Sequence, residues 1–193
     1  MIKRRAALAE APLLAWGERR IDRRDPPNKR RLATLMAGGV ALIGLTIVAP
    51  SAPRLIWNAS ASAPIGLYWI DARSEIGAGD IVAAYAPPAA RRLAAERGYL
   101  PANVPLVKAV GAVAGDDVCA FGQEILINSR QVGDRQLVDG QGRPMPAWNG
   151  CVRLRGRMLF LFAFGKPEAF DGRYFGVTQA SDIIGKAQLL WAR

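Results

Sequence analysis

Ser62 lies in NASASAPIGLY, residues 58–68, where Ser60, Ser62 and three alanines precede Pro64 and Gly66, and Trp69 follows Tyr68. Small side chains of this kind suit a flexible linker. They also suit a loop against which a second chain lies close to the backbone, with one hydroxyl standing free. A hydroxyl nucleophile needs a base, and the chain has no histidine. That absence removes Ser-His-Asp and Cys-His systems and every histidine-based zinc site. The base must then be a lysine, a carboxylate or a terminal amine. Lys108 interrupts the apolar run PLVKAVGAV, and strand alternation puts Leu106, Lys108 and Val110 on one face. A lysine there either snorkels from a sheet edge or is buried. Burial penalises the ammonium form, so a buried amine can stand neutral near pH 7 and accept a hydroxyl proton. Ser62 with Lys108 is therefore the most economical nucleophile–base pair. A third cluster, AFDGRYFG at residues 169–176, combines turn chemistry at Asp171 and Gly172 with Arg173, which pairs with carboxylates. An ion-paired turn accounts for it equally well. Cys119 and Cys151 are the only cysteines. They are too few for a zinc cluster, and form a disulfide in an oxidising compartment or two buried thiols in a reducing one. These residues imply neither a cofactor nor a metal.

The elements that must position these groups divide the 193 residues into a tail, a span and one domain. Net charge is +10, and ten of the 26 basic residues fall in residues 1–31 against four acids. The basic character belongs mainly to this tail. It reads as a solvated arm held to anionic lipid, with nucleic-acid contact disfavoured because the charge borders a span and lacks a domain. Residues 32–49 carry no charge, near the lower end of what crosses a bilayer as a helix. Lys29, Arg30 and Arg31 stand directly before them, so the positive-inside rule puts the N-terminus in the cytoplasm and the remainder outside. The basic region is too long for a cleaved leader, and Pro50 and Pro53 follow the small residues Ala49 and Ala52, which makes poor cleavage sites. We expect a cytoplasmic tail over residues 1–31, an uncleaved transmembrane anchor over 32–50 and an extracytoplasmic domain over 51–193. That domain reads as mainly β, with strands over 66–71, 80–87, 106–113, 157–163 and 183–191, and a hairpin or pair of short strands within 117–133. One short helix is expected near residues 88–97, stopped by Gly98.

In order, SASAPIGLY, GYLPANVPLVKAVGAVAGDDVC, WNGC and FDGRYFG resemble the conjugative-transfer peptidases of TraF type, within the signal peptidase superfamily of serine–lysine proteases. The resemblance spans most of residues 57–191. It implies a signal-peptidase-like antiparallel β domain in the periplasm, anchored to the bacterial inner membrane by a single pass. It makes Ser62 the nucleophile, Lys108 the general base and Asp171 an acid needed for activity. Ser60 falls where a hydroxyl joins the oxyanion hole, with the Ser62 N–H as second donor. Pro64, Gly66, Asp116 and Arg173 are supporting residues, and Cys119 and Cys151 match the paired cysteines, which favours the disulfide. Three positions depart from the pattern. Ala63 stands where methionine is common, Val113 and Ala114 replace Leu-Pro, and Val177 replaces a proline. These flank the reacting groups without removing any.

The implied activity is a serine endopeptidase that processes, and in such relatives can cyclise, a pilin precursor for conjugal transfer. Its partners are the pilin peptide, the inner membrane and other pilus or secretion-channel proteins. Substrate would lie as an added strand along the Ser62 loop with small side chains beside the cut bond. Residue 62 is 13 beyond residue 49, so a fully extended tether reaches at most about 45 Å, and the site stays close to the outer face of that membrane. A general type I signal peptidase is the nearest alternative. A non-catalytic anchored scaffold of a secretion channel is the alternative from outside enzymology, and a DNA-contacting factor using the basic tail is a third class.

Overall fold

The computed structural model describes residues 28–48 and 53–193, so residues 1–27 of the expected tail and residues 49–50 of the expected span lie outside the described residues. The chain forms two compact units, residues 1–51 and 52–193. In the first, helix α1 (Lys29–Val48) takes up the charge-free run from Leu32, and Leu35, Met36, Val40, Leu42 and Leu45 are exposed along it. Among the described residues no helix is long and apolar enough to cross a membrane.

The second unit is mainly β, as the alternating runs predict. One antiparallel sheet contains β1 (Leu55–Asn58), β2 (Gly66–Asp71), β3 (Ile81–Ala84), β4 (Leu106–Ala112), β9 (Phe160–Leu161) and β10 (Ile183–Ala192). Their order is β1-β2-β10-β3-β4-β9. A second contains β5 (Asp117–Phe121), β6 (Glu124–Ile127), β7 (Arg130–Asp134) and β8 (Gly150–Arg153), in the order β7-β6-β5-β8. Ile56, Tyr68, Ile70, Ala83, Val107 and Ala187 bury one face of the larger sheet. Val118, Ala120, Ile125, Leu154, Phe160 and Phe162 fill the core of the smaller one.

Helix α2 (Pro88–Glu96) joins β3 to β4. Proline opens it, Ala90 and Ala94 form its buried face, and Gly98 leaves it at φ +71°, a conformation glycine adopts without steric cost. The expectation of one short helix is corrected. Residues 172–175 form a further helical turn, α3 (Gly172–Phe175), capped by Asp171, and residues 180–182 form a 3-10 turn. The region 117–133 holds three strands, because Asn128 and Ser129 turn the chain at φ 50° and 65° and send β7 back along β6. Gly66 has a packing reason. A Cβ there would stand 2.1 Å from the Trp191 carbonyl oxygen, so only glycine lets β10 close on the start of β2.

Candidate active site

β1 and β2 pair from Leu55↔Trp69 to Asn58↔Gly66, and the loop they close, residues 59–65, carries Ser60 and Ser62. Its shape is fixed from inside. Asn58, 5 % exposed, donates from Nδ2 to the carbonyls of Ser60 (2.9 Å), Ala63 (3.2 Å) and Pro64 (3.0 Å). Its Oδ1 accepts the Ser60 N–H at 3.0 Å. The buried Tyr68 hydroxyl donates to the Pro64 carbonyl at 2.7 Å, and Ala63 is packed into the core beside Ile56 and Tyr68. Ser60 Oγ then lies 2.8 Å from Ser62 Oγ and accepts the Ser62 N–H at 3.3 Å.

Lys108 comes from β4, where it faces Val82 of β3. Leu106, Val107 and Lys108 are all buried because β4 lies inside the sheet, between β3 and β9. The side chain is enclosed there and does not snorkel to water. Lys108 is 4 % exposed, and among the described residues its amine has no hydrogen bond or ion pair. Burial lowers its pKa to about 8, with Asp171 opposing the shift and Arg173 reinforcing it.

Asp171 and Arg173 form a closed pair. Asp171 Oδ2 accepts the Ala163 N–H and Arg173 Nη2, each at 2.8 Å. Its Oδ1 accepts the Arg173 N–H at 3.1 Å and Nε at 2.9 Å. Arg173 Nη2 also donates to the carbonyls of Ala163 (3.1 Å) and Lys166 (2.7 Å), and the guanidinium lies over the Phe162 ring at 4.5 Å. Both side chains are buried, so the pair pins the 163–166 turn to α3 and sets opposite charges side by side near the amine.

Ser60, Ser62 and Lys108 line one cavity of 360 Å³, together with Tyr99, Leu106, Val107, Lys166, Glu168 and Phe170. A larger cavity of 480 Å³, between residues 72–76, 113–114 and 156–159, holds none of the expected residues. Pro64 is exposed in the loop and contributes its carbonyl to the Asn58 cluster. Asp116 is away from the cavity. Its carboxylate accepts the Asn128 amide at 2.8 Å and the Val113 N–H at 2.9 Å, and these bonds, the Asn128 one foremost, lower its pKa. It braces the β4–β5 turn. Cys119 and Cys151 are cross-strand neighbours on β5 and β8 and are joined as a disulfide.

Asn58 and Tyr68, which anchor the loop, and Tyr99 and Phe170, whose rings meet at a tilt with centroids 5.4 Å apart in the cavity wall, were not singled out by the sequence patterns. Asn58 did leave a signal, since an amide is out of place at a buried strand position. Backbone direction adds one more feature. Val110 exchanges hydrogen bonds with the residues before β3, donating to the Asp80 carbonyl and accepting from Gly79, while the Ala109 carbonyl accepts from Phe162 beside β9. By alternation the N–H and C=O of Val107 point to the β9 side, where β9 pairs only with Val110 and Ala112. Val107 is one of the residues that line the cavity.

The family model "Signal peptidase, peptidase S26" matches residues 29–192. A probable conjugal transfer protein TraF of Sinorhizobium fredii is 34 % identical over 189 residues, covering 92 % of this chain and 95 % of that protein. A plasmid transfer protein TraF of Escherichia coli is 30 % identical over 164 residues, covering 79 % and 85 %. A crystal structure of signal peptidase I from Enterococcus faecalis aligns at TM-score 0.34 and 17 % identity, covering 58 % of this chain and 97 % of that one.

Proposed function

Because this chain belongs to the signal peptidase family, peptidase S26, and is of its TraF type, we propose that it is a membrane-anchored serine endopeptidase that matures a pilin precursor for conjugal transfer, with Ser62 as nucleophile and Lys108 as base. The observation that carries this reading is the unpaired, buried amine of Lys108 in the same cavity as the Ser62 hydroxyl. A lysine kept from water and from any direct anion is costly to hold as an ammonium. Its value lies in proton transfer near neutral pH.

Ser62 Oγ attacks the scissile carbonyl carbon while Lys108 Nζ takes the hydroxyl proton. The oxyanion is met by the Ser62 N–H and the Ser60 hydroxyl, which turns from Ser62 Oγ to donate to the new charge. Lys108 returns its proton to the leaving amine, and an ester on Ser62 remains. Water attacking the ester gives a linear product. The free amine of the same chain attacking instead closes a ring, and the two outcomes share every step up to the ester. Val107 lines the cavity beyond the part of β4 that β9 pairs with, and its backbone would offer the incoming segment a strand to add to. Asp171 acts through structure, fixing the 163–166 wall, and through its charge beside the amine.

The test is direct. Ser62→Ala and Lys108→Ala should each abolish processing while leaving the circular dichroism of the domain unchanged, and a serine-selective acylating probe should label Ser62 alone. Processing at the wild-type rate by either variant would refute the dyad. Mass spectrometry of the mature pilin from cells with and without this protein reads the product. A further loss of one water from the trimmed chain marks ring closure.

A further inference from the structure

We infer that Asn58 is the positioning residue of the nucleophile loop, so that the rate of acylation, rather than peptide affinity, depends on its side-chain amide. The inference rests on the dyad reading and concerns a residue outside it. Residues 59–65 have no sheet partner, and a loop of small side chains has few packing contacts of its own to hold one shape. Asn58 supplies the missing order from a buried position at the end of β1. One side of its amide accepts the Ser60 N–H and the other gathers three carbonyls, those of Ser60, Ala63 and Pro64. These contacts bracket Ser62 on both sides along the chain. They hold the peptide on each side of Ser60, whose hydroxyl is in hydrogen-bond contact with Ser62 Oγ and with the Ser62 N–H.

An amide is the group such a site needs. Three inward carbonyls require a donor, and the Ser60 N–H requires an acceptor on the same side chain. Asparagine provides both within two rotatable bonds. Aspartate at the same place would direct a carboxylate at three carbonyl oxygens, and alanine would leave buried acceptors without a donor. Pro64 keeps a second donor in Tyr68, but the Ser60 and Ala63 carbonyls have Asn58 alone among the described residues. Loss of the amide therefore frees the loop on the Ser60 and Ser62 side while its Pro64 end stays tied. Displacement of a reacting group by about 1 Å is enough to cost roughly a hundredfold in rate.

The experiment uses the full chain in detergent with a peptide substrate, and compares Asn58→Ala and Asn58→Asp with Leu154→Ala, a core truncation in the smaller sheet that lowers stability without touching the loop. For both Asn58 variants we expect kcat to fall about a hundredfold with KM within about threefold, a matching loss of Ser62 acylation rate by the probe, and faster amide exchange at Ser60. Leu154→Ala should keep kcat. Wild-type kcat in a folded Asn58→Ala, or an equal loss of kcat in a Leu154→Ala of the same melting temperature, overturns the inference. If the wild-type protein is not labelled at Ser62, the dyad reading fails separately. Exchange then decides the loop claim alone: lost protection at Ser60 in Asn58→Ala supports it and retained protection overturns it.

Discussion

A buried lysine without a hydrogen-bonding partner is a stability cost, and the sign of that cost can be worked out. Burial moves the Lys108 pKa from 10.5 down to about 8, so between these values the unfolded chain binds the extra proton and the native one does not. Stability contributed by this group therefore rises with pH across that window, and below pH 8 the fold carries the whole penalty, about 3 kcal/mol. Lys108→Met should thus be inactive yet more stable than wild type at pH 7, with the gap shrinking toward pH 10.5, as urea titrations at several pH values would record. Equal stability at pH 7 would mean that the amine is solvated. In the active enzyme the same group should give kcat/KM an ascending limb centred near pH 8. Asp171 tests the other side of the balance. Its charge raises the Lys108 pKa while Arg173 lowers it, and the two are paired at 2.8 Å. Asp171→Asn leaves Arg173 buried without its anion, at a cost of about 3–5 kcal/mol. It should also shift the ascending limb to lower pH in whatever protein remains folded. A shift to higher pH would show that Asp171 acts on the amine by some route other than charge.

At the scale of elements the disulfide and the sheets separate cleanly. Cys119 and Cys151 tie β5 to β8 across a 32-residue separation, in the sheet that does not carry Ser62 or Lys108. Replacing both by serine should lower stability by about 3–4 kcal/mol, read from the urea midpoint. Ser62 should still react with the acylating probe under native conditions, and loss of labelling in a folded variant would reveal a coupling between sheets through Trp148, whose Nε1 donates to the Gly172 carbonyl. The elements legible from sequence were those with a strong local pattern. β2 and β4 alternate or run apolar between turns, and α2 has its proline start and glycine stop. Those missed are short or set by a single side chain. β1 and β8 are four residues each, and β1 follows directly on an expected span, where a linker reads as naturally as a strand. β7 was hidden because serine at Ser129 adopts a positive φ that a hairpin turn normally advertises with glycine. α3 exists because Asp171 caps it, and an aspartate before glycine reads first as a turn. The site followed the same rule. Ser62 and Lys108 could be proposed as a pair because the missing histidine leaves few bases, while Asn58 contacts backbone groups that side-chain patterns do not display.

At the scale of the whole molecule the question is what the helix of the first unit adds to a second unit that holds all the proposed site residues. α1 offers charge-free residues from Leu32 to its end at Val48, roughly 26 Å at 1.5 Å per residue, against a hydrocarbon core of about 30 Å. That shortfall is of the kind a helix meets by local thinning and by snorkelling of flanking cations, and Lys29, Arg30 and Arg31 are placed for it. We therefore propose that α1 anchors the chain with its basic end in the cytoplasm. In this topology the full chain should resist carbonate extraction from membranes, and protease added outside spheroplasts should destroy residues 52–193. The kinetic consequence follows from tethering. On the proposed reading, enzyme and a membrane-bound pilin confined to one bilayer would meet at an effective concentration that free solution does not reach, a gain of about a hundredfold or more without any new contact. A chain beginning at Ala52 should then cleave a short soluble peptide with the kcat/KM of the full protein and process membrane-bound pilin at least ten times more slowly. Equal processing of membrane-bound pilin by both forms would remove the tether from the mechanism. Equal loss on both substrates would instead show that the first unit helps to build the active site.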